Sequence, residues 1–334
     1  MSSVKDVAHG SRRNAYTALI LSTLAMIVCF MSWSNFAPLA SQVAEMFNLD
    51  VSQRTLLLAT PVLLGSIMRI PVGILSDRYG GKKVYLILMA FILIPLIMIP
   101  HVHSFGMLLF AALLVGMSGT SFAVGVSYAS VWFPPEQQGL ALGIVSMGNM
   151  GNAVAAMTLP YISKAAGFDS VYYFLIILTV IFGVLFAVFC KEMPVDKSKT
   201  IKGALSVATD SGTWYLSLFY FLTFGLFVAF TNLTPTFLTG MFHYTPVTAG
   251  LYSALFAFVC TLVRPFGGYL ADRKRPMALL QWVFVAIVIF AIWIMLSFHN
   301  QFMFIAGIVL VGLSAGIGNG VVFKMVPYVS QGNT

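Results

Sequence analysis

Two arginines stand inside apolar runs of this sequence. Arg69 lies in "GSIMRIPVGILSDRYGGKK" (Gly65–Lys83) and Arg264 in "VRPFGGYLADRKR" (Val263–Arg275). Each precedes an Asp-Arg pair, Asp77-Arg78 or Asp272-Arg273, by about eight residues, roughly 12 Å along a helix. Snorkelling does not cover that distance without distortion. Both guanidiniums therefore belong near the middle of any bilayer these runs cross, facing a bundle interior. Two cations there need an anionic partner. The ten acids, Asp6, Glu45, Asp50, Asp77, Glu136, Asp169, Glu192, Asp196, Asp210 and Asp272, fall in tails, loops or span ends. His9, His101, His103, His243 and His299 lie outside the spans as well. The counter-ion then has to be an external oxyanion, which suits arginine's planar fork. The lack of an intramembrane Asp, Glu or His favours anion exchange over proton symport. Tyrosines and bound water leave a proton relay open.

Other residue types say less by themselves. "GIVSMGNMGNAVAAM" (Gly143–Met157) places Gly143, Gly148 and Gly151 mostly on one helix face, which suits close helix packing. Its Asn149 and Asn152 carry mid-membrane amides that must find partners in the protein or in a substrate. Phe122, Tyr220 and Phe224 sit in mid-span, but among 29 phenylalanines such rings read as packing on composition alone. Lys324 is expected near the cytoplasmic surface. Cys29, Cys190 and Cys260 give neither a disulfide framework nor a metal spacing. No Walker-type loop or nucleophile–base pair occurs within a span, so neither an enzyme nor a cofactor is expected.

The elements that must position these residues follow from composition. The chain has 334 residues, 59% hydrophobic and 8% charged, against about 25% charged in soluble domains. It reads as an all-α polytopic membrane protein with ten spans, at 15–38, 54–76, 84–100, 105–132, 138–162, 171–190, 213–238, 247–271, 277–298 and 302–325. The net charge of +8 clusters in short loops, which argues against nucleic acid. Residues Lys5, Arg12, Arg13, Arg78, Lys82, Lys83, Lys191, Lys197, Lys199, Lys202, Arg273, Lys274 and Arg275 fall on one side, and Arg54 and Lys164 on the other. That bias places the N-terminus and the central polar stretch in the cytoplasm. The basic N-terminal segment is followed by no small-residue cleavage site, so it reads as a retained first span.

The chain also repeats itself. "SNFAPL" (Ser34–Leu39) matches "TNLTPT" (Thr231–Thr236), "RIPVGILSDR" matches "RPFGGYLADR", and "LVGMSG" (Leu114–Gly119) matches "LVGLSA" (Leu310–Ala315). The offsets are 197, 195 and 196 residues, which marks a duplication. Three regions follow: a six-helix half at 1–190, a cytoplasmic linker at 191–212, and a second half at 213–334 with four helices. Two halves of about 196 residues call for roughly 390. Counterparts of the fifth and sixth spans are expected beyond Thr334, and the 334-residue chain alone is not expected to transport.

"GILSDRYGGKK" (Gly73–Lys83) resembles the major facilitator superfamily motif G-x-L-x-D-R-x-G-x-K, and "GYLADRKR" (Gly268–Arg275) resembles a weaker copy of it. The resemblance covers the whole chain and implies the major facilitator fold of two six-helix pseudo-repeats, with Asp77, Arg78, Asp272 and Arg273 in gating loops. More narrowly, the arginine pair, "SMGNMG" (Ser146–Gly151) and "AGIGNGVVFKM" (Ala315–Met325) resemble the nitrate/nitrite porter family. That resemblance implies that Arg69 and Arg264 clamp a planar anion, that Phe122, Tyr220 and Phe224 wall it, and that Asn149 lines the site. Ser146 stands where the signature has its first glycine, and Asn152 where a small apolar residue is usual. A second glycine-rich signature, expected in span eleven, lies beyond Thr334.

The resemblance implies uptake of nitrate with possible nitrite exchange, by a monomer in the cell membrane (prokaryotic plasma membrane) with the lipid bilayer as its surroundings. The residues themselves leave open a proton-coupled nitrate symporter, a facilitator of another small anion such as phosphate or an organic carboxylate, and a transporter-like anion sensor.

Overall fold

The computed structural model describes residues 12–193 and 207–330. Most of the expected linker, along with Lys5, Asp6, His9, Asp196, Lys197, Lys199 and Lys202, lies outside the described residues. The described chain is helical, with no strand among the described residues. Among the described residues, ten helices are long and apolar enough to cross a membrane: α1 (Arg12–Trp33), α2 (Val51–Tyr79), α3 (Gly81–His101), α4 (Phe105–Ser130), α5 (Pro135–Ala166), α6 (Phe168–Phe189), α7 (Ser211–Thr231), α8 (Thr248–Arg273), α9 (Pro276–Leu296) and α10 (Gln301–Val326). Each overlaps one expected span. In a bilayer the backbone must satisfy itself, which leaves helices as the available form for such runs. Side chains such as Ile87, Val188, Phe221 and Trp282 are exposed on helix faces, as a lipid-facing surface requires.

The chain divides into two compact units. The first holds Met1–Trp132 and Gly148–Thr200, the second Phe133–Met147 and Ile201–Thr334. Helix α5 is thus shared: its start, to Met147, belongs to the second unit and its continuation to the first. The glycine motif explains both placements. A Cβ on Gly143 would meet the Pro265 Cα at 2.8 Å, inside the second unit. A Cβ on Gly148 or Gly151 would strike Met26 or the Ile27 carbonyl of α1, inside the first. The stripe of small residues lets backbone meet backbone.

The duplication appears as one shared irregularity. Helix α2 breaks between Val51–Ile67 and Arg69–Tyr79, and α8 between Pro246–Leu262 and Arg264–Arg273. The linking residues, Met68 (φ −77°, ψ −8°) and Val263 (φ −81°, ψ −10°), adopt nearly the same conformation. The cause is proline. Pro71 and Pro265 donate no N–H, and their rings press on the carbonyl four residues earlier, so the helix restarts just ahead of them. In each unit the intramembrane arginine is the first residue after that restart.

A turn at Gly80 joins α2 to α3. Its φ of +100° suits glycine. The Glu192 carboxylate lies against it, accepting the backbone N–H groups of Lys82 (3.2 Å) and Lys83 (3.1 Å) at the start of α3. A Cβ at Gly80 would fall 2.5 Å from that carboxyl carbon. Gly80→Ala is expected to cost about 1–3 kcal/mol, read as a lowered thermal midpoint in detergent. Gly106→Ala, with open space around the added carbon, is the control and should leave the midpoint unchanged.

Candidate functional site

In the second unit, Arg264 is fully buried, at 0% exposure. Its Nη1 donates to the Ser146 carbonyl at 3.1 Å. The guanidinium lies 5.8 Å from the centre of the Phe224 ring and 5.2 Å from that of Phe227. Tyr220 stacks on Phe224, with centroids 5.1 Å apart and planes within 6°. The thiol of Cys260 also touches the arginine, but sulfur is a weak acceptor. Nε and Nη2, one edge of the fork, find no hydrogen-bond acceptor among the described residues. A buried charged donor without an acceptor is costly. Two such donors in one plane match the geometry of a two-oxygen acceptor.

The first unit repeats the arrangement. Arg69 is half-buried, and its Nε donates to the Gly119 carbonyl at 3.3 Å. Its guanidinium lies 5.7 Å from the Phe122 ring centre. Each arginine is thus tied to a carbonyl in or beside a 3-10 turn, Gly116–Thr120 for Arg69 and Met147–Met150 for Arg264. Such turns within a spanning helix often mark a functional hinge. Asn149 is 1% exposed, and neither end of its amide has a hydrogen-bond partner among the described residues. Asn152 is half-buried with its Oδ1 in the same condition.

The expected gating residues separate by unit. In the first, Asp77 is exposed and accepts the Ser127 hydroxyl, while Arg78 lies over the Tyr79 ring at 5.6 Å. In the second, Arg273 covers the Tyr269 ring at 4.3 Å. Asp272 accepts the backbone N–H groups of Gly139 (3.1 Å) and Leu140 (2.8 Å) at the start of α5. Its other partner is Lys324, whose Nζ stands 2.7 Å away and also donates to the Pro135 carbonyl. Lys324 is only 3% exposed, so packing encloses it.

Structure therefore groups Arg264 with Phe224 and Tyr220, and Arg69 with Phe122, while Asn149 and Asn152 follow on α5. Phe227, Ser127, Lys324 and Asn319 carry contacts that residue type does not signal. Of these, Asn319 has a sequence cue, because it sits in the glycine-rich run of α10.

The pattern of the Major Facilitator Superfamily matches residues 22–332. A crystal structure of a bacterial homologue of the human lysosomal transporter Spinster, in an inward-facing and occupied conformation, superposes with a TM-score of 0.62 at 19% identity, over 95% of this chain and 75% of that one. The chain belongs to the major facilitator superfamily. Within it, the similarity is to two kinds of curated relative. The "Nitrite extrusion protein" of Bacillus subtilis is 36% identical over 315 residues, 93% of this chain and 78% of that protein. The "Probable nitrate transporter NarT" of Staphylococcus epidermidis is 34% identical over 316 residues, 94% and 81%. These relatives place the chain in the nitrate/nitrite porter family.

Proposed function

We propose that this protein is a secondary active transporter that takes up nitrate and exchanges it for nitrite by alternating access. Arg69 and Arg264 clamp the anion. Phe122 walls it on one side, Tyr220 and Phe224 on the other, and Asn149 and Asn152 line the path. The loops carrying Asp77-Arg78 and Asp272-Arg273 gate it from the cytoplasm, the side that also holds the N-terminus and the central linker. The observation that carries this reading is the buried edge of Arg264, whose Nε and Nη2 face no hydrogen-bond acceptor among the described residues. The names of the relatives supply the anion.

The placement of the acids supports coupling by exchange. Among the described residues, Glu45, Asp50, Asp77, Glu136, Asp169, Glu192, Asp210 and Asp272 lie in connecting segments or in the first or last turn of a span. None is placed to carry a proton through mid-membrane. The test is uptake of 15N-nitrate by proteoliposomes of the full-length protein at clamped voltage. Uptake is expected to need internal nitrite and to ignore an imposed pH gradient. Uptake driven by the gradient with no internal anion defeats exchange. Block by excess phosphate or carboxylate, with none by excess unlabelled nitrate, defeats the nitrate assignment.

A further inference from the structure

A second buried polar group in the same unit is left with an open valence. Asn319 of α10 has 0% exposure. Its Oδ1 accepts the Thr223 hydroxyl at 2.8 Å, whereas its Nδ2 has no acceptor among the described residues. The Thr223 hydroxyl also reaches the Phe219 carbonyl (3.0 Å) and the Tyr220 carbonyl (3.3 Å) of its own helix, and its single proton goes to Asn319, the shortest of the three contacts. The oxygen end of the amide is then used and the N–H2 end is presented elsewhere. A buried amide donor left unbonded is unfavourable, and an apolar side chain of the same size would fit at lower cost.

The surroundings say where that donor belongs. Thr223 shares one face of α7 with Tyr220, Phe224 and Phe227, the stack that carries Arg264. Gly320, the next residue after Asn319, packs so closely that an added Cβ would strike the Arg264 carbonyl. Phe323, one turn further along α10, packs on Tyr220 with centroids 5.6 Å apart. Asn319 therefore has two close neighbours on α10, one packed on the Arg264 backbone and one on the Tyr220 ring. An oxyanion held on the edge of one guanidinium keeps further lone pairs to satisfy.

We infer that Asn319 is a further substrate-binding residue, whose Nδ2–H2 donates to an oxygen of the anion held by Arg264. This rests on the anion-transport reading above. The ligand class is a small oxyanion with more acceptor positions than one arginine edge fills. Thr223 is the positioning residue that turns the amide.

The test is nitrate binding to the purified full-length protein, wild type against Asn319→Leu and Asn319→Asp. Aspartate keeps the acceptor for Thr223 and replaces the donor with an oxygen. Leucine removes both. Donation to the anion predicts binding weaker by about tenfold or more in Asn319→Leu, and weaker still in Asn319→Asp, whose carboxylate competes for Arg264. A purely structural role predicts the reverse order, with Asn319→Asp close to wild type. That order, or wild-type binding in both variants, overturns the inference and leaves the transport reading standing. A wild-type protein that binds no nitrate overturns both. If neither Asn319 variant folds, Thr223→Val decides: binding several-fold weaker supports the inference, and unchanged binding overturns it.

Discussion

Replacing Arg264 by methionine is expected to abolish nitrate binding and to raise the melting temperature. The two effects share one cause. Arg264 buries a full charge, yet uses only Nη1 for a backbone carbonyl, that of Ser146. The Nε and Nη2 donors are buried without hydrogen-bond acceptors among the described residues, at about 1–3 kcal/mol each. Methionine fills a similar length with no donor to satisfy, so the fold gains while the anion loses its holder. A site kept for function at the expense of stability behaves this way. Nitrate at 100 times its dissociation constant should stabilise the wild type by about 2.7 kcal/mol and leave Arg264→Met unmoved. Thermal unfolding in detergent, with and without nitrate, reads both effects. A variant less stable than wild type, or one that nitrate still protects, contradicts the account.

Lys324→Met should do the opposite: leave nitrate affinity within about threefold, as for a site that shares no partner with the anion, and damage both stability and turnover. Lys324 is the buried cation of the Asp272 cluster, and removing one member of a buried pair costs about 3–5 kcal/mol. The same cluster holds the start of α5 through Gly139, Leu140 and Pro135. On the proposed function, loosening it should disturb gating rather than anion binding. Proteoliposome transport rates with parallel binding isotherms separate the two effects. Wild-type turnover in Lys324→Met would remove the gating role.

The ten spans and the duplication are legible in the sequence because both are periodic and local. The break ahead of each arginine is not, because proline by itself does not decide it: Pro61 sits inside the unbroken stretch Val51–Ile67, while Pro71 and Pro265 follow a restart. The pairing of Arg69 with Phe122 and of Arg264 with Phe224 and Tyr220 is accessible through the family resemblance. Composition could not have singled these rings out, and Phe227 shows why: it contacts Arg264 as closely as Phe224 does, among 29 phenylalanines. Lys324 reads as one more basic residue at a span end, and its enclosure depends on Asp272 arriving from 52 positions earlier in the chain. The Glu192 cap on α3 and the Thr223–Asn319 bond are likewise tertiary, joining residues 110 and 96 positions apart. No local pattern encodes such a meeting.

The claim at the centre is that one anion engages both arginines. Isothermal titration of nitrate into the full-length wild type, Arg69→Lys and Arg264→Lys tests it directly. An ammonium cannot reproduce the planar fork, so either substitution should remove the site. The account predicts one nitrate bound per chain in the wild type and none detectable in either variant. Two nitrates per chain in the wild type, or one still bound in either variant, would contradict it.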